Sequence, residues 1–215
     1  MSGWKSCTYW ALAGLASATL AACGSQTQAA SEPTGNFAVA PAASFPTSQR
    51  LSQHTVLVVR VTNTSGKTIP DIAVTITDGT PSHHDMGTAV QAFDYPINMS
   101  NVSSNSRPVW IVDQAPGPCG YSCQTGGPGA AATAFANTWA LGPLKPGKTA
   151  TFAWHVTAVH PGAWVLNWRV AAGLYGNAKA VLQGGGIPRG SFTVHISKAP
   201  QQSYVNNSGH IVTTH

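Results

Sequence analysis

Charged side chains are scarce in this chain, and acidic ones are the scarcest. Only 8% of the 215 residues are charged, with Lys+Arg 11 against Asp+Glu 6 and a formal net charge of +5 at pH 7. The basic residues are scattered, without a run of lysine or arginine and without alternation of basic and aromatic residues. We therefore expect no nucleic-acid partner.

The shortage of carboxylates also leaves little material for acid–base catalysis. Asp78, Asp85, Asp94 and Asp113 are dispersed, so a catalytic pair would require distant residues to converge. The sequence contains no G-x-S-x-G nucleophile elbow and no phosphate-binding loop. We expect a protein that is not an enzyme and that needs no cofactor.

The apolar segment near the N-terminus is short. Residues 11–22, ALAGLASATLAA, follow Lys5 and have the length of the apolar part of a secretory signal, which is too short to span a bilayer. The segment ends at Leu20-Ala21-Ala22-Cys23 and is followed by Gly, Ser and Gln. This ending resembles the lipobox of bacterial lipoproteins, in which the cysteine is diacylated and the preceding peptide is removed.

The lipobox resemblance implies a location as well as a modification. It implies a signal peptide over residues 1–22, lipidation of Cys23, and attachment to the extracytoplasmic face of the cell membrane. Several acyl chains on one cysteine hold firmly, because each buried CH2 contributes about 0.8 kcal/mol. The alternative is an ordinary signal peptide cut at an A-x-A-like site, with Cys23 incidental.

Cysteine is rare, and its four positions have different expected fates. Cys7 is removed with the signal and Cys23 carries lipid, which leaves Cys119 and Cys123 in an oxidising compartment. We predict a disulfide between these two. The surrounding GPCGYSCQTGGPG is rich in Gly and Pro, which is typical of a loop. Because the ring that the disulfide closes is small, we expect it to shape this loop more than to stabilise the fold.

Composition divides the exported chain into three parts. Residues 24–48 are rich in Ala, Ser, Pro and Thr and lack periodicity, so residues 23–48 are predicted to be the lipidated cysteine and a flexible tether. Residues 199–215 are predicted to be a disordered tail on the same grounds. The folded domain is expected to span residues 49–198.

Alternation of apolar and polar residues predicts β-strands in that domain. The segments are HTVLVVRVTN (54–63), IAVTIT (72–77), TFAWHVTAV (151–159), AWVLNWRVAA (163–172) and FTVHIS (192–197). Each has one apolar face, which is typical of a half-buried strand. The phase of this alternation predicts that Trp154 and Trp168 point into the core.

Short strands joined by Pro-Gly turns favour an all-β, antiparallel sandwich. The stretch LGPLKPGKTATFAWHVTAVHPGAWVLNWRVAAG is similar to one half of bacterial extracellular Ig-like domains, including those related to cell adhesion. TVLVVRVTNTSGKTIPDIAVTIT resembles their opening hairpin. The resemblance implies an Ig-like fold and a non-enzymatic binding or adhesion module, whose partner is an envelope protein or a surface polymer.

Residues 78–138 depart from that pattern as a long, loop-rich insertion. Only RPVWIVD (107–113) has the pattern of a strand. A long segment of this kind within a domain is usually functional or disordered. Phe93, Tyr95 and Tyr121 are therefore candidates for an exposed contact surface, with Trp110 either beside them or in the core.

One cluster in the insertion suggests a metal. His83, His84, Asp85 and Met86 offer imidazole, carboxylate and thioether ligands that suit copper or zinc. The alternative function is therefore an extracytoplasmic copper- or zinc-binding protein. Adjacent histidines on a loop are more often simply exposed to solvent, and no further ligand lies beside them in sequence.

Overall fold

The structure is a computed structural model that describes residues 31–78, 92–94, 108–117, 137–200 and 202–214. These residues form thirteen β-strands and no α-helix, which confirms the prediction of an all-β fold. None of them belongs to a helix that is long and apolar enough to cross a membrane.

The strands are β1 (Gly35–Ser44), β2 (Ser48–Leu51), β3 (His54–Asn63), β4 (Ala73–Asp78), β5 (Phe93–Asp94), β6 (Trp110–Gln114), β7 (Thr138–Ala140), β8 (Thr149–Ala158), β9 (Gly162–Ala171), β10 (Ala178–Val181), β11 (Arg189–Pro200), β12 (Gln202–Val205) and β13 (Ile211–Thr214). One sheet has six strands in the order β10-β1-β3-β8-β6-β5, and a second has five in the order β2-β11-β9-β4-β7. Their apolar faces share one core, which makes the domain a β-sandwich.

Most strand pairs are antiparallel, as predicted. The longest ladders join β3 to β8 and β9 to β11, and both are antiparallel. Three pairs are parallel, namely β1 with β10, β2 with β11 and β5 with β6. Each parallel pair includes an edge strand, so the antiparallel ladders form the centre of both sheets.

The predicted strand faces are confirmed in the central strands. Trp154 of β8 is completely buried, and Trp168 of β9 is 9% exposed. Their neighbours two residues away along each strand are buried as well, because successive side chains of a strand point to opposite faces. Hydrophobic burial of one face per strand is therefore enough to determine which side chains of these strands point into the core.

An aromatic cluster at one end of the core changes the expectation for Phe93. The Phe93 ring lies 6.1 Å from Trp110 and 6.3 Å from both Trp139 and Trp154, measured between ring centroids. Phe93 is only 2% exposed and Trp110 is fully buried. The prediction that Phe93 lines an exposed surface is therefore wrong. An apolar ring of this size gains more from edge-to-face packing in the core than from exposure to water.

The predicted flexible tether over residues 23–48 is wrong for its second half. Within it, β1 contributes Phe37 and Val39 to the core, and β2 follows directly. Gln49 is buried, where its Oε1 accepts a hydrogen bond from Trp110 Nε1 at 2.8 Å and its Nε2 donates to the Pro46 carbonyl at 2.8 Å. The sandwich therefore begins at β1 and not at residue 49.

The predicted disordered tail over residues 199–215 also needs correction. β11 continues to Pro200, and β12 and β13 pair as an antiparallel hairpin. The turn between them is held by Asn206, whose Oδ1 accepts hydrogen bonds from the Ser208 and His210 N–H groups at 3.0 Å. An asparagine that binds its own backbone in this way gives a turn without help from the core.

A buried asparagine joins the two long loops at one end of the sandwich. Asn63 is fully buried, and its Nδ2 donates to the carbonyls of Lys67 at 2.9 Å and Leu144 at 2.8 Å. Its Oδ1 accepts from the Ser65 N–H and hydroxyl. Because every polar atom of the amide is paired, its hydrogen bonds offset the free-energy cost of removing the group from water.

Two carboxylates each hold a loop by its backbone N–H groups. Glu32 holds the loop between β9 and β10, and Asp71 holds the loop between β7 and β8. Glu32 accepts hydrogen bonds from the Tyr175 N–H at 3.2 Å, and from the Asn177 and Ala178 N–H groups at 2.7 and 3.3 Å. Asp71 accepts a hydrogen bond from the Gly142 N–H at 2.9 Å. Burial raises the pKa of the Asp71 carboxyl above its ordinary value of 3.8, the Gly142 bond opposes this, and the Glu32 charge adds to the rise.

The raised pKa of Asp71 predicts how stability depends on pH. Because the folded state binds the proton more tightly than the unfolded state, stability is lost as pH rises from 3.8 through the folded-state pKa. Asp71→Asn keeps an oxygen for the Gly142 N–H and removes the charge. We expect the variant to melt at a higher temperature than the unaltered protein at pH 7, and this difference to disappear below pH 3.8. A difference that is independent of pH, in melting curves at both values, would contradict this assignment.

Candidate binding groove on the five-stranded sheet

Most residues predicted from the sequence as functional lie outside the described part of the chain. They are Cys23, His83, His84, Asp85, Met86, Tyr95, Cys119, Tyr121 and Cys123. Lipidation, the disulfide and the metal cluster therefore stay predictions. Among the described residues, no group of three or more His, Cys, Asp or Glu side chains is placed to hold a metal ion.

The outer face of the five-stranded sheet carries an open groove with a volume of about 750 Å³. Its walls come from β4, β9, β11 and the loop after β9. The polar residues that line it are Thr75, Thr77, Asn167, Arg169, Arg189 and Ser191. No Asp or Glu is among the described residues of its lining.

The strand register arranges these polar residues in two rows across the sheet. In the first row, Thr75 lies opposite Arg169, and Arg169 lies opposite Arg189. In the second row, Thr77 lies opposite Asn167 and Asn167 opposite Ser191. Residues that are paired across strands share a face, so all six point away from the core.

The two arginines form an unusual pair. Both are exposed, and directly opposite positions in a sheet bring Cβ atoms to about 4.5–5.5 Å of each other. Like charges at such positions are destabilising. Within the described part of the chain, neither guanidinium forms an ion pair. The groove therefore holds a positive charge that the described residues do not neutralise.

The floor of the groove depends on a glycine. Gly190 lies opposite Trp168 in the ladder, and a Cβ added at Gly190 would lie 2.5 Å from Cζ2 of the indole. The missing side chain therefore makes room for the ring. Trp168 belongs to the inner face of β9, so its ring fills this space on the core side of β11, beneath the groove.

The rim of the groove is the loop that Glu32 holds. Gly173, Leu174 and Gly176 belong to this loop and line the groove. Gly173 lies so close to the Glu32 carboxylate that a side chain at this position would overlap it. The Glu32 charge is engaged by three backbone N–H groups of the loop, so it positions the rim instead of neutralising the arginines.

A second polar cluster lies on the outer face of the six-stranded sheet. The Thr157 hydroxyl donates to Asp113 Oδ2 at 2.6 Å, and His54 Nδ1 lies 3.2 Å from the same oxygen and 2.8 Å from the Thr157 Oγ1. A catalytic triad requires the hydroxyl and the carboxylate on different ring nitrogens. Here both contact Nδ1, so the imidazole has no path to relay a proton between them.

Four of the six polar residues of the groove could be placed on an outward face from the sequence. The alternation in β4 and β9 already placed Thr75, Thr77, Asn167 and Arg169 on polar faces. Arg189 precedes the apolar alternation of β11 and was not included in a strand. Its position opposite Arg169 follows only from the register of β9 with β11, which no local pattern specifies.

No protein-family model matches the chain, and no curated protein matches it. Among solved structures, a CARDB domain from Pyrococcus furiosus, crystallised with di-metal ions, aligns with a TM-score of 0.41 and 11% identity, over 76% of this chain and 96% of that chain. The alpha-2-macroglobulin of E. coli aligns with a TM-score of 0.39 and 13% identity, over 77% of this chain and 7% of that chain.

A third alignment is to the complex of zinc 2-glycoprotein and prolactin inducible protein from human seminal plasma. It has a TM-score of 0.37 and 10% identity, over 75% of this chain and 94% of that chain. These likenesses concern the fold alone. The strand order and the shared core make the described domain a β-sandwich.

Proposed function

We propose that this protein is a membrane-anchored, extracytoplasmic lipoprotein whose Ig-like domain is a non-enzymatic binding module. The observation that carries the binding role is the groove on the five-stranded sheet, where an outward sheet face is concave and lined by polar side chains. A fold of this class does not specify an activity, so the function depends on the residues of the site.

The residues of the groove favour binding over catalysis. Arginine, threonine, serine and asparagine donate or accept hydrogen bonds, and guanidinium groups stay protonated at neutral pH. General acid–base catalysis needs a group that gains and loses a proton near the working pH. The described lining contains no His, Asp, Glu, Cys or Lys, so recognition is the chemistry that it suits.

The corrected start of the domain supports a position of the groove near the proposed anchor. Glu32 holds the rim of the groove and lies nine positions after Cys23. A chain of this length spans at most about 30 Å when fully extended. With Cys23 in the membrane, the rim would lie within that distance of the bilayer surface. A partner among the envelope proteins or surface polymers fits this position.

Lipidation is tested by replacing the cysteine of the lipobox. Cys23→Ser removes the thiol that would carry the acyl chains, so the protein should move from the membrane fraction to the soluble fraction when cells are fractionated. Cys7→Ser is the matched control, since it lies in the signal and should leave membrane retention unchanged. Retention of the Cys23→Ser protein, together with an unmodified Cys23 in the mass spectrum of the unaltered protein, would refute the anchor.

Binding through the groove is tested by filling it. Thr77 is an exposed residue of the groove, and Thr151 is an exposed strand residue on the outer face of the other sheet. Thr77→Trp should abolish binding of the purified protein to isolated envelopes, because the indole occupies the space of the ligand. Thr151→Trp makes the same chemical change elsewhere and should leave binding intact. Equal binding by both variants in a sedimentation assay would exclude the groove as the contact surface.

A further inference from the structure

The arginine pair gives the groove a definite preference for charge. Arg169 and Arg189 lie directly opposite each other on β9 and β11, and both line the groove. Within the described residues neither has an ion-pair partner, and the described lining contributes no carboxylate. Two unneutralised guanidinium groups on one concave surface favour an anion, and their planar forks match the oxygens of carboxylates and phosphates.

Arg60, an arginine on the other sheet, differs from the groove pair in its cross-strand neighbours. Arg60 of β3 is also exposed on an outward strand face, but it lies opposite Thr151 and Ala42. It therefore has no like charge beside it across the sheet. The cross-strand repulsion between Arg169 and Arg189 is thus specific to the groove, and a bound anion would relieve it.

The remaining lining suits a sugar. Asn167, Ser191 and Thr77 present an amide and two hydroxyl groups in one row, and each can both donate and accept hydrogen bonds, as sugar hydroxyl groups require.

We propose that the groove binds an anionic sugar polymer of the cell envelope, whose sugar units carry carboxylate or phosphate groups. The two arginines bind the anionic group, and the row of amide and hydroxyl groups binds the sugar hydroxyls. This inference rests on the proposed function, since it names the ligand class of the same groove. A single-stranded nucleic acid fits less well, because successive bases need successive aromatic platforms. Trp168 is the one aromatic residue of the described lining, and its ring lies in the core on the inner face of β9.

The test measures binding of the purified full chain to four polymers by calorimetric titration. Polygalacturonate carries a carboxylate on each sugar, and phosphomannan carries phosphate on its sugars. Dextran is a sugar polymer without charge, and inorganic polyphosphate is an anion without sugar. These probes separate the contribution of the charge from that of the sugar, and they separate carboxylate from phosphate.

We expect polygalacturonate or phosphomannan to bind at least about tenfold more tightly than either dextran or polyphosphate. Arg169→Gln and Arg189→Gln should each weaken that binding about tenfold or more, since each removes a charge-assisted contact. The matched control Arg60→Gln should change it less than about twofold, because rim or remote charges contribute little. Both groove variants should keep their melting temperature, since they remove a repulsion on an exposed face.

Four results would overturn the inference. They are the absence of binding by both anionic polysaccharides, equal binding by polyphosphate, equal weakening by Arg60→Gln, and unchanged binding by both groove variants. The broader function is judged separately by the Thr77→Trp and Thr151→Trp variants on whole envelopes. If Thr77→Trp alone blocks envelope binding while neither anionic polysaccharide binds, the groove remains a contact surface and only the ligand class proposed here is wrong.

Discussion

The packing of Trp168 against Gly190 is the contact on which the groove depends. Only a residue without a side chain leaves space for the indole at this place in the ladder, because a Cβ there would lie 2.5 Å from the ring. A shift of one residue in β11 would bring Arg189 or Ser191 against the ring and turn the inward face of the strand outward. The same contact that fills the core therefore sets Arg189 opposite Arg169.

The rim of the groove depends on the N-terminal segment instead of on the core. Glu32 accepts hydrogen bonds from three backbone N–H groups between Tyr175 and Ala178, and β1 follows directly into the six-stranded sheet. A carboxylate that accepts several backbone N–H bonds is a strong local constraint. The segment nearest the proposed lipid anchor is thus also the segment that shapes the rim of the groove.

The sequence predicted the parts of this molecule that depend on local alternation. The buried faces of β3, β8 and β9, including Trp154 and Trp168, follow from apolar residues at every second position. β1 was missed because alanine, serine and proline dominate it, and its stability comes from pairing with β3 and β10. Phe93 was misplaced because its two-residue strand has no periodicity to read. The arginine pair required a register between distant strands, which local patterns do not contain.

The claim that the groove is the binding surface is tested most directly by side-chain footprinting with hydroxyl radicals, on the protein alone and bound to its envelopes. Leu174 lines the groove, whereas Tyr204 of the C-terminal hairpin is 56% exposed and lies outside the sandwich sheets. The account predicts that envelope binding lowers the oxidation of Leu174 and leaves Tyr204 unchanged. Protection of Tyr204 or of the outer face of the six-stranded sheet, with Leu174 unaffected, would contradict it.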